Sequence, residues 1–276
     1  MNKKPNFIIA GVMKGSTSAA AINLNKHSDV HVVTGFWKRK IYERLTRTRF
    51  ANHLENLKGG LSEGNSKELD FFNISDNYNL GLDFYSSFFQ NKTFRGEASP
   101  NYFHSETESN YTKAIDLISS DLDNPKVIVI LRDPITRAYS HWNMIQTLNP
   151  SWGSRFYKNT FNESTEQSPM ANNLLNRSTY SSTLERYIEV LGSSNLYVAL
   201  QEEIATNPLA EYNKMFTFLG ATTLDKDPGF KQSFVSNYSG SIDSQSETWL
   251  KSYFKEDVDK VKTLFPDLQY SHWNSY

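Results

Sequence analysis

Apolar positions along this chain fall into two kinds of run. Short unbroken runs, best seen in Phe7-Ile-Ile-Ala and Val127-Ile-Val-Ile-Leu131, read as strands covered on both faces. They predict strands at Asn6 to Val12, around Val30 to Val33, at Thr93 to Glu97, at Lys126 to Leu131 and at Asn195 to Leu200. Between them the apolar residues recur with helical period over Thr17 to Asn25, Lys38 to Leu57, Leu80 to Phe89, Ser109 to Leu122, Ile135 to Leu148 and Thr179 to Leu191. Two further helices, Leu209 to Leu219 and Ser246 to Phe265, follow the last strand. This alternation predicts an α/β fold, a P-loop-like doubly wound parallel sheet with flanking helices and ligands at the carboxyl ends of its strands. A chain of 276 residues can bury one sizeable core, so a single domain over 1–276 is expected. The Asn-, Ser- and Thr-rich stretch 149–177 is expected to be a surface excursion near the site.

Two strand ends carry the chemistry. After the first run comes Gly11-Val-Met-Lys14-Gly15-Ser16-Thr17-Ser18, and after the fourth comes Arg132-Asp133-Pro134-Ile-Thr-Arg137-Ala-Tyr-Ser140. Each reads as strand, turn and helix start, which aims backbone N–H groups and a positive dipole end at an anion. Gly11 and Gly15 allow a tight turn and close approach, Lys14 supplies a point charge, and Ser16, Thr17 and Ser18 supply hydroxyls. This is not a Walker motif, because no Gly-Lys-Ser/Thr closes it. Arg132 directly after a buried strand calls for an anion or a carboxylate. Asp133 and Pro134 suit an N-cap and a first turn. Ser140, about two helical turns on, can face back toward Arg132, and Arg137 is one more nearby cation. The plain alternatives are a glycine turn with a solvated lysine, and an Arg-Asp pair at a strand end. Two such sites together suggest a ligand phosphorylated at both ends.

Composition narrows this further. Twenty-nine basic against 30 acidic residues leave no overall electrostatic case for nucleic acid or an anionic membrane. With no cysteine there are no disulfides, thiolate metal sites or cysteine nucleophiles. The first strand is interrupted by Gly11 and Lys14, and no run approaches ~18 apolar residues, so no membrane-spanning segment or signal peptide is expected and a cytoplasmic setting is. No metal-ligand spacing is visible, and none is expected. The segment from Trp37 to Arg49 gathers six cations around one acid, Glu43. It can receive an anionic glycan or lipid headgroup, or be a solvated helix face.

With these motifs in view the chain resembles the sulfotransferases that use 3′-phosphoadenosine 5′-phosphosulfate (PAPS). Gly11 to Ser18 is similar to their 5′-phosphosulfate loop, and Leu131 to Ser140 to their 3′-phosphate motif. Lys67-Glu68-Leu-Asp-Phe71-Phe72, Gly81 to Tyr85, Gly96-Glu97-Ala98-Ser99-Pro100-Asn-Tyr102, and Tyr180 with Leu184-Glu-Arg-Tyr resemble the bacterial and Golgi-type carbohydrate branch, which includes the heparan sulfate enzymes. The resemblance runs from about Pro5 to Phe265. It departs at Ser16, where glycine is usual, at Ala98, where lysine is common, and near Ser236-Asn-Tyr238-Ser239-Gly240, which lacks the usual Lys/Arg-Gly.

The resemblance implies sulfuryl transfer from PAPS, leaving adenosine 3′,5′-bisphosphate, to an acceptor hydroxyl on a glycan or glycolipid, without a metal. It assigns donor contacts to Lys14, Gly15, Ser16, Thr17, Ser18, Arg132, Ser140 and Tyr180, with Ser239 and Gly240 in the late loop. Lys14 stands where charge builds on the bridging oxygen, and Lys67 where the acceptor enters. The base is Glu68 by resemblance, in an apolar setting that suits proton uptake. Its plain alternative is a salt bridge with Lys67. His104 is the rival base, since other branches use histidine; His141 reads as a packing residue, and Glu97 as a brace for the Ser99-Pro100 turn. Two other readings stay open at this point. One is a nucleotide-dependent kinase with a variant phosphate loop; the other is a catalytically silent nucleotide-binding module.

Overall fold

The structure is a computed structural model and describes residues 4–33, 68–105, 113–148, 161–162, 171–231, 242–273 and 276. Its sheet is built from β1 (Phe7–Gly11), β2 (Val30–Val32), β3 (Phe94–Ala98), β4 (Lys126–Leu131) and β5 (Leu196–Leu200). The strands are parallel in the order β2-β3-β1-β4-β5. All five residues of β1 are buried, as the unbroken apolar run requires of a central strand.

Alternate residues of each strand feed two separate cores. Phe7, Ile9, Ile128 and Ile130 meet Ala20, Ala21 and Leu24 of α1 (Thr17–Leu24) and Met215 and Phe216 of α10 (Pro208–Leu219). On the other face Ile8, Ala10, Val127, Val129 and Leu131 meet α5 (Ala114–Asp121), α6 (Pro134–Leu148), α8 (Ser181–Leu191) and α11 (Ser244–Leu264). Each fully buried Ile or Leu there contributes about 2 kcal/mol. The shorter helices are α2 (Ser75–Tyr78), α3 (Leu82–Ser86), α4 (Asn101–His104), α7 (Ala171–Asn176) and α9 (Gln201–Thr206). No helix among the described residues is long and apolar enough to cross a membrane.

The strand order places the site. From β1 the chain crosses β3 to reach β2, then returns and crosses β1 to reach β4. Right-handed crossovers in opposite directions put α1 on one face and α6 on the other. The segments leaving neighbouring β1 and β4 therefore part to opposite sides, opening a crevice at their carboxyl ends.

Two expectations differ from what is observed, and a third falls outside the described residues. The helix expected over Leu80 to Phe89 shrinks to α3, because Phe84, Tyr85, Phe88 and Phe89 all turn into one aromatic cluster with Phe71 and Phe72. The stretch 149–177 is more than a surface excursion where it is described: Phe161, Leu174 and Leu175 are buried. The helix expected over Lys38 to Leu57, and the cation cluster of 37–49, lie outside the described residues.

Candidate active site

The loop after β1 is shaped by its backbone. Val12 N–H donates to the Ile130 carbonyl of β4 at 3.0 Å, and Gly15 N–H folds back to the Val12 carbonyl at 2.9 Å. Gly15 lies against β4 so closely that a Cβ there would sit 2.3 Å from the Ile130 oxygen. Lys14 and Ser16, on either side, take left-handed φ values of 71° and 68°. Such a reversal of hand lets successive N–H groups converge on an anion. Ser16 occupies the N-cap position of α1 but makes no side-chain cap, and the first-turn N–H groups have no intrahelical acceptor. The loop is thus a cradle for an anion at the positive end of a helix.

The loop after β4 is shaped by side chains. Asp133 accepts the Thr136 N–H at 2.9 Å, capping α6, whose first residue is Pro134. Glu202 accepts the Asp133 N–H at 2.9 Å and the Trp273 indole N–H at 3.2 Å. The Tyr276 hydroxyl donates to Asp133 at 2.8 Å, and that of Tyr180 to the Arg132 carbonyl at 2.8 Å. Arg132 itself donates to Thr136 Oγ1 at 3.2 Å and, across the crevice, to the Lys14 carbonyl at 3.3 Å. That last contact joins the two loops. Ser140 is buried on α6. Arg137, the other nearby cation, is fully buried on α6 and donates to Ser178 Oγ at 2.6 Å and the Leu174 carbonyl at 2.7 Å.

A third segment reaches the crevice from beyond β3. Glu68 is half-buried, and two residues on, Asp70 accepts from Asn101 Nδ2 at 3.2 Å. Arg177, nearly buried, lies 3.4 Å from Asn101 Oδ1 and 3.7 Å from the Met13 sulfur. A chain of contacts therefore runs from Asp70 to the residue before Lys14. His104 lies beneath the same loop, its Nε2 accepting the Met13 N–H at 3.3 Å. Burial, then the charges of Arg177 and Arg137 and the neighbouring His141, hold His104 well below the usual histidine range. His141 is held down by burial and by Arg137, Arg177 and Lys14. Both rings are neutral near pH 7, and His104 presents an unprotonated Nε2 to the loop.

Of the residues singled out from sequence, Lys14, Gly15, Ser16, Thr17 and Ser18 share one turn with Arg132 against it. Tyr180 braces the Arg132 backbone, and His104 props the first loop from below. Lys67, Ser239 and Gly240 lie outside the described residues. Arg177, Asn101, Glu202, Trp273 and Tyr276 were not anticipated. They act through contacts between distant parts of the chain, which leave no local pattern. Among the described residues no group of three or more His, Asp or Glu comes together as a metal site would require.

A glycine turn at one helix start facing an arginine at another, at the carboxyl ends of a parallel sheet, narrows the class, and comparison with known proteins supplies the family. The profile of the sulfotransferase domain matches residues 4–265, and the chain belongs to that family. Members of that family use PAPS as donor and release adenosine 3′,5′-bisphosphate. Human bifunctional heparan sulfate N-deacetylase/N-sulfotransferase 2 is 28% identical over 251 residues, covering 83% of this chain and 24% of that protein. Human heparan sulfate glucosamine 3-O-sulfotransferase 5 is 25% identical over 226 residues, covering 78% of this chain and 53% of that one. The chain thus spans about a quarter of the first relative and about half of the second. A sulfotransferase from Alicyclobacillus acidocaldarius shares the fold at a TM-score of 0.62 and 20% identity, over 99% of this chain and 98% of that one. A mouse sulfotransferase solved in complex with PAP shares it at a TM-score of 0.52 and 11% identity, over 93% and 84%.

Proposed function

We propose that the chain transfers the sulfuryl group of PAPS to a hydroxyl or amine of a carbohydrate. The observation that carries this is the joining of the two anion cradles, with Arg132 of one donating to the Lys14 carbonyl of the other. Two helix starts opening on one crevice suit a donor with a phosphate at each end. PAPS supplies the activated sulfuryl group. The N–H groups from Ser16 to Ser18 at the start of α1 would hold its 5′-phosphosulfate end, and Arg132 and Ser140 its 3′-phosphate. Lys14 would place a cation where negative charge grows on the bridging oxygen, which favours the transition state over the ground state. The acceptor class follows from the relatives, whose names place their sulfation on heparan sulfate.

Glu68 is our choice of base. The competing His104 has its Nε2 occupied by the Met13 N–H, and its surroundings disfavour the imidazolium that proton uptake would make. His104 therefore serves the donor loop. The deciding experiment is calorimetric titration with adenosine 3′,5′-bisphosphate beside ATP with magnesium. Micromolar bisphosphate binding lost in Arg132→Ala, followed by transfer of label from PAPS to heparan-type oligosaccharides, is the expected result. Lys14→Ala should then cost about two decades in rate, or about 3 kcal/mol. Preference for ATP with magnesium would overturn the proposal.

A further inference from the structure

We propose that Glu97 is a positioning residue for the transfer reaction, fixing the backbone of the strip that carries Glu68 through the hydroxyls of Ser99 and Tyr102. The inference rests on Glu68 as the base.

Glu97 lies in β3 with no exposed surface. Its Oε1 accepts from the hydroxyls of Tyr85 at 2.9 Å and Tyr102 at 2.5 Å, and its Oε2 from Ser99 Oγ at 2.6 Å. Two of those hydroxyls have a second task. Ser99 Oγ accepts the Leu69 N–H at 3.0 Å and the Asp70 N–H at 3.1 Å, while the Tyr102 oxygen accepts the Phe71 N–H at 3.0 Å. Three consecutive backbone donors, starting at the residue after Glu68, thus end on one carboxylate through two hydroxyls.

The direction of the protons makes this arrangement specific. A hydroxyl has one proton, and only when it points at Glu97 are its lone pairs left to accept from the strip. In its ionised form, which prevails above about pH 7, the Glu97 carboxylate only accepts, so there it sets every one of these protons the same way. A glutamine at 97 would turn a donor toward one hydroxyl, which would then face donors on every side and lose its place for its own proton. Burial raises the phenols of Tyr85 and Tyr102 well above their ordinary value, and the Glu97 charge adds to this, so both keep their protons. Burial pushes Glu97 up to about 7, opposed by the hydroxyls of Ser99, Tyr102 and Tyr85 and reinforced by the charge of Asp70. The strip is therefore held in place by a buried carboxylate that never touches the acceptor.

Site-resolved amide exchange tests this, with each variant predicting a different pattern. Glu97→Gln should speed exchange at Leu69, Asp70 and Phe71 by about tenfold or more, Ser99→Ala at Leu69 and Asp70 alone, and Tyr102→Phe at Phe71 alone. Ile8 and Ile9 of β1 should be unaffected in all three. With labelled PAPS and a heparan-type oligosaccharide, Glu97→Gln should lower kcat by about tenfold. KM for PAPS and affinity for adenosine 3′,5′-bisphosphate should stay within about twofold, because the donor loops are untouched. Unchanged exchange at 69–71 in Glu97→Gln would overturn the proposal, as would faster exchange there with kcat unaltered. Failure of the wild-type chain to bind the bisphosphate would instead overturn the donor-site reading on which the proposal rests.

Discussion

The loop after β1 and the loop after β4 face each other across one crevice and present the same kind of surface, yet they are held by different means. In the first, the conformation is carried by main-chain turns at Lys14, Gly15 and Ser16 and by contact with the β4 backbone. In the second, a run of side chains from four other places in the chain (Glu202, Trp273, Tyr276 and Tyr180) braces Asp133 and Arg132. Backbone-held cradles leave little room for substitution but need few partners. Side-chain braces tolerate single losses, each at a moderate cost. The two loops should therefore respond differently to mutation.

The largest difference should come from Gly15→Ala. The added Cβ would lie 2.3 Å from a carbonyl oxygen of the central sheet, which cannot swing aside as a side chain would. A loss of about 4 kcal/mol in a urea melt is expected, together with loss of bisphosphate binding. A variant that melts like the wild type would show that the loop is not packed on β4 as described.

Asp133→Ala should do less, because Pro134 still favours the helix start and Glu202 still holds the backbone. It removes the cap on Thr136 and the partner of Tyr276, so about 2 kcal/mol is expected. Tyr276→Phe in the same melt should lose only a part of that. Equal losses in the two variants would mean that the cap contributes nothing and the tail everything.

What was legible in the sequence follows the same division. β1 and β4 and their turns were readable because a buried parallel strand needs an unbroken apolar run and an anion turn needs small and hydroxyl residues next to it. The expected Asp133 cap and Pro134 first turn are local devices, and both are present. The braces were not readable. Tyr276 reaches Asp133 across 143 residues, and Arg177 reaches Met13 across 164. Neither spacing has a period or a motif. Arg137 shows the limit within a helix: its number places it near Arg132, but only the packing of α6 shows that it is fully buried.

Acidification sharpens the comparison with a smaller effect. His104, which props the first loop, and His141 both have folded-state values well below their ordinary 6.5. Below that value the unfolded chain binds protons that the folded chain refuses, so stability is fully present above it and falls as pH drops. Each refused proton is worth about 1.4 kcal/mol per pH unit. Glu97 has the opposite sign: raised to about 7 from 4.5, it binds its proton first in the folded state and offsets part of the loss between those values. Urea melts at pH 7.5 and 5.5 should show falling stability in the wild type and a steeper fall in Glu97→Gln. Equal slopes would mean that Glu97 does not titrate in this range.

The smallest expected effect has the opposite direction. Ser16 holds a left-handed φ of 68°, a conformation that disfavours any residue with a Cβ, and its side chain makes no cap bond in return. Ser16→Gly should therefore relieve strain that outweighs the added freedom of the unfolded chain, a net gain of about 0.5–1 kcal/mol. The N–H groups of the cradle keep their positions, so bisphosphate affinity should hold or rise. If affinity falls instead, the Ser16 hydroxyl itself contacts the donor, and this loop too relies on a side chain where its backbone appeared sufficient.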